Sequence, residues 1–303
     1  MNRFRIGTRR SPLALVQAEW VQDRIREHHP QAAVEIVPIR TSGDRFQNVP
    51  IERIGTKGVF IKEIEEALLR GDIDVAVHSM KDLPTELPEG LAVAAVPERE
   101  DPADVLVSRV AESLDALPAG ARIGTGSLRR RAQLLHHRPD LAVVPIRGNV
   151  DTRIAKLARG EVDALVLALA GLKRLGRAYE TAQPLPPETC MSAVAQGALG
   201  LETRSGEVER LTFLDHAPSA LEVAAERAFL ARLEGGCQVP VGARAVVRGD
   251  RLALAGMVAE VSGRQVFRGE LSGASADAAS LGMRLAERLL AEGAGAVLRE
   301  ARP

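Results

Sequence analysis

The chain is short of cysteine, of lysine and of net charge, and each shortage excludes a class of protein. Two cysteines in 303 residues, Cys190 and Cys237, cannot make a disulfide framework. Neither lies in a Cys-x-x-Cys pair or a His/Cys cluster, so no metal site is expected. No apolar run reaches the ~18 residues of a membrane span. The opening MNRFRIGTRRSPLAL also lacks a signal-peptide core, and a reducing, cytoplasmic setting is expected. Forty basic residues balance forty acidic ones, which excludes a generally basic nucleic-acid binder and gives no bias toward membrane surfaces. Only five of the forty basic residues are lysine, a bias that composition alone leaves as genomic or thermal in origin.

Nucleotide fingerprints are missing as well. Gly124-Thr-Gly-Ser127 is followed by Arg129 where a dinucleotide turn needs its third glycine, and no Gly-x-x-x-x-Gly-Lys-[Ser/Thr] loop occurs. The six histidines form no His-x-x-x-His pair. His78 lies at a strand end, while His28-His29 and His136-His137 end helices, where they can cap carbonyls; structural roles are expected for all.

What is present is alternation of strand and helix signals through the first two-thirds, the grammar of α/β layers around mixed, mostly parallel sheets. Arg5-Ile6-Gly7-Thr8 ends a strand, and Ser11-Pro12 opens a helix to about His29 with serine as cap and proline at its first position. A strand follows over Val34–Ile39. Phe60, Ile64, Ala67 and Leu68 share a helical face that Gly71 is placed to end. Asp74–Val77 then reads as a buried strand running into His78-Ser-Met-Lys-Asp82. Arg122-Ile-Gly-Thr125 repeats the first tetrapeptide before a helix from Ser127 to about His137, and Leu141–Pro145 is the next strand. Val150, Ile154 and Leu157 form a helical stripe, and Arg159-Gly-Glu-Val-Asp163 echoes Arg70-Gly-Asp-Ile-Asp74. Two lobes of similar topology are therefore expected, both suited by their helix N-termini to an anionic ligand. After Pro184–Pro187 the pattern becomes a helix over about 219–234, a meander of strands (243–247, 252–258, 265–270) and a last helix over about 276–292.

Charge is unevenly distributed. Between Arg122 and Arg177 there are twelve basic and four acidic residues, so the middle lobe carries a local excess of eight positive charges. Several of these arginines sit at strand-to-helix turns, where open α/β sheets bind ligands: Arg129 and Arg130 after the Gly-Thr-Gly-Ser turn, Arg147 and Arg153 around Gly148-Asn149. A nest for carboxylates suits them better than one for pyrophosphate. Asp82, beside Lys81 and before Leu83-Pro84, reads either as a turn-capping carboxylate or as a functional one. Cys237 is either a small buried hydrophobe or a thiol presented by the tight loop Gly235-Gly-Cys-Gln-Val-Pro240.

The segments RIGTRRSPLAL (5–15), KGVFIKEIEEALLRGDIDVAVHSMKDLP (57–84), GTGSLRRRAQL (124–134), IRGNVDTRIAKL (146–157), LALAGLKRLG (167–176), QGALGLE (196–202) and ERAFLARLEGGCQVPVG (226–242) resemble, in order, the porphobilinogen deaminase (hydroxymethylbilane synthase) family. The match weakens only after about residue 245. The resemblance implies an α/β fold of two periplasmic-binding-protein-like lobes plus a small α+β C-terminal domain. The domains expected are 1–98 with 193–216, 99–192, and 217–303. It implies a transferase of tetrapyrrole (haem) biosynthesis that joins four porphobilinogen molecules head to tail, losing ammonia each time, to give hydroxymethylbilane. The chain would grow on a dipyrromethane cofactor held by a thioether to Cys237.

Carried over motif by motif, Asp82 is the catalytic carboxylate, flanked by Ser79 and Lys81. Lys57, Ser127, Arg129 and Arg130 would hold the cofactor with Cys237, Asp82 and Ser79. Arg9, Ser11, Arg147, Arg153 and Arg174 would take substrate carboxylates. Lys81 is expected to favour an ionised Asp82 that stabilises developing positive charge. Two departures touch substrate detail: Gly126 precedes Ser127 where the family often has a second serine, and Thr56 replaces a common glycine. The expected partners are porphobilinogen and the growing polypyrrole, with no nucleic acid, membrane or obligate protein partner, and a monomer is implied. Two other readings compete: a cytoplasmic two-lobed anion carrier, which leaves Asp82 and Cys237 without a task, and a nucleotide-dependent enzyme, which lacks its glycines.

Overall fold

A computed structural model describes residues 3–42, 61–177, 182–233 and 239–301. Lys57, Thr56, Phe60 and Cys237 lie outside the described residues. Two compact units divide the chain: Met1–Arg99 with Ala198–Ala220, and Glu100–Gly197 with Leu221–Pro303.

The first unit is built on strands β1 (Arg3–Arg9), β2 (Ala33–Ile39), β3 (Val75–Ser79), β4 (Leu91–Ala95) and β10 (Leu199–Arg204), with helices α1 (Pro12–His28) and α2 (Lys62–Arg70). The sheet order is β2-β1-β3-β10-β4. β1 runs parallel to β2 and β3, whereas β10 is antiparallel to both β3 and β4. Period-two alternation sends Val75 and Val77 to the α1 face, where Ala18, Val21 and Ile25 are buried, and Ala76 to the α2 face with Ile64, Ala67 and Leu68. Ser11 caps α1 by accepting from the Ala14 N–H, with Pro12 in the first turn. Gly71 ends α2 at φ +76°, a conformation that a Cβ would strain.

The second unit repeats this plan. Its strands are β5 (Asp104–Ser108), β6 (Arg122–Gly124), β7 (Ala142–Val144), β8 (Ala164–Ala168) and β9 (Ala182–Leu185) in the order β7-β6-β8-β5-β9. β6 is parallel to β7 and β8, and β5 is antiparallel to β8 and β9. Helix α3 (Leu128–His137) covers Leu106, Ile123 and Val166, while α4 (Val150–Ala158) and α5 (Leu169–Arg174) lie over Val105, Val107 and Leu165. In both sheets the strand beside the third parallel one is antiparallel to it.

The same unit contains the meander β11 (Val241–Arg248), β12 (Arg251–Ala259) and β13 (Val266–Ala274), all antiparallel. Helices α6 (Ala217–Arg232) and α7 (Ala278–Leu289) flank it, and Phe229 and Leu285 pack where a side chain at Gly256 would stand. The last helical stretch differs from the expected single helix to 292. α7 passes through a wide turn at 290–294 into α8 (Gly295–Ala301), because Gly293 takes φ +112° and breaks the helical path. The helix-end histidines also differ from expectation. His136 Nδ1 is 2.9 Å from the Gly263 carbonyl, His137 pairs with Asp115, and His28 stacks on Phe213 at 4.0 Å. The caps shown are backbone ones: the His29 N–H donates to the Ile25 carbonyl and the Arg138 N–H to the Leu134 carbonyl. Among the described residues no helix is long and apolar enough to cross a membrane.

Candidate active site

In the first unit, the carboxyl ends of β1 and β3 bring together the residues that the sequence had separated by seventy positions. Arg9 closes β1, Ser11 starts α1, and Ser79 closes β3. The chain then tightens into a 3-10 turn over Met80–Asp82, pinned by Met80 N–H to the Ala198 carbonyl and by Leu83 N–H back to Met80. Met80 is buried, so the turn is anchored from beneath while Asp82 is exposed and Lys81 half-buried. Arg9, Ser11, Gln17, His78, Ser79 and Asp82 line a pocket of about 70 Å³. Gln17 Nε2 donates to Ser79 Oγ at 3.1 Å, which fixes the serine hydroxyl at the pocket wall. A strand end facing a helix N-terminus is a natural place for an anion.

In the second unit, β6 leads through Thr125–Ser127 into α3. Thr125 Oγ1 accepts from Ser127 N–H, and Ser127 Oγ caps the helix by accepting from Arg130 N–H at 3.4 Å. Both following arginines turn inward onto Asp104 at the start of β5. Arg129 Nη2 reaches Asp104 Oδ2 at 2.8 Å and Arg130 Nη2 reaches Oδ1 at 2.7 Å. Arg129 also donates to the Met191 carbonyl, and Arg130 Nη1 to the Val166 carbonyl at 2.9 Å. Burial alone would raise the Asp104 carboxyl, but Arg129 and Arg130, with hydrogen bonds from Arg130 and Gln196, hold it far below the usual carboxylate range. Arg129 is thereby committed to the interior. Arg130 is not fully spent, since its buried Nε has no hydrogen-bond partner among the described residues.

Arg147 and Arg153 join Arg130. Asn149 caps α4 by accepting from Thr152 N–H at 2.9 Å, and Gly148, at φ +113°, makes the turn before it. Arg153 Nε donates to the Gly148 carbonyl at 2.8 Å, a neutral acceptor. Burial, and then the like charges of Arg130 and Arg147, push the Arg153 guanidinium down to about 10. A guanidinium depressed in this way is short of negative charge. Arg174 is held differently: its Nη2 donates to the Gly197 carbonyl at 2.7 Å, and burial lowers it while Glu100 partly restores it.

Several contributors went unread in the sequence. Asp104 opens an apolar strand, and a lone carboxylate entering a buried run was a usable signal. Gln17 sits on the buried stripe of α1 with Ala14, Ala18 and Val21, where a polar residue needs a partner. Glu226 is fully buried and accepts from Ala195 and Ala245 N–H groups, fixing the unusual positive φ of Ala195. Cys190 lies beside Asp104, and burial with that neighbour pushes its thiol up to about 12. Among the described residues no metal-binding group of three or more His, Cys, Asp or Glu side chains occurs.

Two family models match in tandem: "Porphobilinogen deaminase, dipyromethane cofactor binding domain" over residues 4–212 and "Porphobilinogen deaminase, C-terminal domain" over 220–291. The chain belongs to the porphobilinogen deaminase family. It is 56% identical over 300 residues to the porphobilinogen deaminase of Pelotomaculum thermopropionicum, covering 98% of this chain and 96% of that one. The porphobilinogen deaminases of Syntrophus aciditrophicus (54% identity, 98% of each chain) and Desulforudis audaxviator (53%, 98% and 97%) are similarly related. Among solved structures, the methionine-binding protein MetQ covers 75% of this chain and 95% of its own at a TM-score of 0.43 and 14% identity. The sulphonate-binding protein SsuA of Escherichia coli covers 77% and 71% at a TM-score of 0.40 and 16% identity. The porphobilinogen deaminase family assignment therefore rests on sequence, and the two-lobed α/β plan on the sheets themselves.

Proposed function

We propose that the Asp82 pocket and the Arg130–Arg147–Arg153 set carry the family's reaction in this chain. As a family member the chain is a transferase of tetrapyrrole biosynthesis, joining four porphobilinogen molecules head to tail with loss of ammonia to give hydroxymethylbilane. The observation that carries the site reading is the Arg153 Nε donating at 2.8 Å to the neutral Gly148 carbonyl, with Arg130 and Arg147 as like-charged neighbours. Every pyrrole of the product bears acetate and propionate groups, and planar guanidinium forks bind carboxylates in pairs.

The donor chemistry also fits the dipyrromethane named by the family model. Arg130 keeps a buried Nε donor without a partner among the described residues, Arg153 donates its Nε to a neutral carbonyl, and Ser79 and Ser127 present hydroxyls at the two strand-to-helix turns. In this reading Cys237, in the part of the chain over 217–303, holds the cofactor by a thioether, with Lys57, Ser79, Asp82, Ser127, Arg129 and Arg130 around it. When bound, the cofactor supplies the free pyrrole position on which the chain grows. Arg9, Ser11, Arg147, Arg153 and Arg174 take incoming carboxylates; Arg129 serves the cofactor by holding Asp104, on which Arg130 is oriented.

Loss of ammonia leaves a cationic azafulvene, and Asp82, presented on an anchored turn beside Lys81, stabilises that charge without reorganising. The same carboxylate accepts from pyrrole N–H groups and moves protons at the reacting carbon. The reading is of a cytoplasmic monomer acting on small molecules, without nucleic acid, membrane or obligate protein partner. Its test is Asp82→Asn: the variant keeps the cofactor but nearly loses turnover, whereas near-normal turnover refutes the central role of Asp82.

A further inference from the structure

Helix α3 carries Arg129 and Arg130, and one turn further on it carries a buried amide that the proposed reaction has not used. Gln133 is 1% exposed. Its Oε1 accepts from the Met191 N–H at 2.7 Å and from Arg268 Nη2, on β13, at 3.3 Å. Its Nε2 donates to the Met191 carbonyl at 3.1 Å and to the Arg129 carbonyl at 3.3 Å. Two of these partners can only donate and two can only accept, so a primary amide serves them all where a carboxylate or an alkyl group cannot. The Met191 carbonyl is shared: Arg129 Nη1 donates to it as well, while Arg129 Nη2 holds Asp104 Oδ2. Gln133 therefore grips the peptide on which Arg129 is set, and Arg130 meets the other oxygen of the same Asp104.

The next residue is tied in the other direction. Ser192 Oγ donates to the Ala243 carbonyl at 3.0 Å, and the Ala243 N–H donates to the Ser192 carbonyl at 3.1 Å, which joins the segment to β11. The approach is so close that a Cβ on Gly242 would stand 2.9 Å from the Ser192 carbonyl oxygen and 3.0 Å from Met191 Cγ. The Met191 side chain packs with Ala132 of α3 and with Met257 and Ala259 of β12. Met191 and Ser192 thus strap the arginine helix to the meander. β11 opens at Val241, a few residues after Cys237 in the sequence.

We propose that Gln133 is a positioning residue for the reaction: by holding Met191 it sets β11, the strand that follows the cofactor cysteine, in register with Arg129 and Arg130. The inference rests on the reading in which Cys237 bears the dipyrromethane and these arginines hold it. Apolar contacts between α3 and the meander are non-directional, whereas the paired bonds of the amide with the Met191 N–H and carbonyl fix that peptide in place and in rotation. Loosening the strap moves the anchored cofactor relative to the guanidinium groups. Substrate carboxylates fall to other residues in that reading, Arg147, Arg153 and Arg174 among them, so the loss is carried by kcat and not by KM.

Gln133→Leu in the cofactor-bearing enzyme is the test. Its intact mass should show the same covalent increment as the wild type, because no atom of Gln133 enters the thioether. Per cofactor-bearing molecule, kcat should fall by about 10- to 100-fold, the cost of a misplacement on the order of 1 Å, with KM within about twofold of the wild type. Hydrogen exchange read by mass spectrometry should quicken over β11 as well as over 188–192, with β8 unchanged. If Gln133→Leu fails to fold, Gln133→Glu decides by the same readouts, since it keeps the bonds accepted from Met191 and Arg268 but sets an acceptor against the Met191 carbonyl. Wild-type kcat, a loss carried by KM instead, or faster exchange confined to 188–192 overturns the role of Gln133. A wild-type protein without the covalent increment fails the cofactor reading and this inference together. A normal increment in both proteins with no loss of kcat fails this inference alone.

Discussion

Arg5 grips Asp74 through three hydrogen bonds: backbone N–H to Oδ2 at 2.8 Å, Nε to Oδ2 at 3.0 Å and Nη2 to Oδ1 at 2.8 Å. Arg122 holds Asp163 with the same atoms at 2.8, 3.2 and 3.0 Å. In each case the Asp N–H also donates to the arginine carbonyl at 2.9 Å. This pair ties the start of the first parallel strand to the entry of the third, and explains why Arg-Ile-Gly-Thr and Arg-Gly-x-x-Asp recur together.

The pair in the first unit makes a stability prediction. Burial would raise Asp74, but the bonds from Arg5 outweigh it and hold the carboxyl below its ordinary value. A depressed carboxyl contributes stability above its unfolded pKa, and this is lost as pH falls through the folded one. Asp74→Asn should therefore cost about 2 kcal/mol at pH 7, the scale of a hydrogen bond to a charged group. The deficit should shrink below about pH 4, where the unfolded aspartate protonates. Urea unfolding of both proteins across pH checks this; a deficit that is constant with pH contradicts it.

Arg153 is expected to trade stability against function. Arg153→Met removes a cation crowded by Arg130 and Arg147, so the folded protein should lose little or no thermal stability. Substrate use should nevertheless fall by about 10–100-fold, the loss of one charge-assisted bond to a carboxylate. Arg147→Leu should likewise impair binding or elongation. Unchanged kinetics in both would mean that the anion site lies elsewhere.

Thiol chemistry should separate the two cysteines. Cys190, pushed up to about 12 by burial and Asp104, should resist alkylation in the native protein at neutral pH. Denaturation should then expose a single reactive thiol if Cys237 is already a thioether. Two reactive thiols in denatured, active enzyme would contradict the attachment.

The β12–β13 turn offers a packing test. Gly263 has φ +79°, and a Cβ there would stand 2.6 Å from the Ala132 carbonyl oxygen and 2.7 Å from the His136 nitrogen of α3. Gly263→Ala should destabilise by roughly 1–3 kcal/mol, the cost of a residue held in a disfavoured backbone region. A wild-type melting temperature would show that the turn can move away from α3 freely.

Local signals were legible in the sequence because they are written in neighbouring residues. Ser11-Pro12, Ser127 and Gly71 mark caps that the structure shows, and the repeated tetrapeptide marks the repeated sheet. Long-range pairing was not. β10 enters a sheet whose other strands all precede residue 96, and Glu202 meets His78 across 124 positions. Asp104, which turns Arg129 and Arg130 inward, lies 25 and 26 residues before them. The basic middle lobe was visible as a charge count, but only packing distinguishes Arg129, with both Nη groups engaged, from Arg130, whose Nε has no partner among the described residues, and from Arg153, whose Nε meets a neutral carbonyl.

The central claim is that a polycarboxylate site serves a chain growing on a cofactor bound to Cys237, and intact-mass measurement of the purified, active protein tests it most directly. The account predicts a mass above that of the sequence by two linked pyrrole units, with Cys237→Ser lacking the increment. An active protein at the unmodified sequence mass would contradict it.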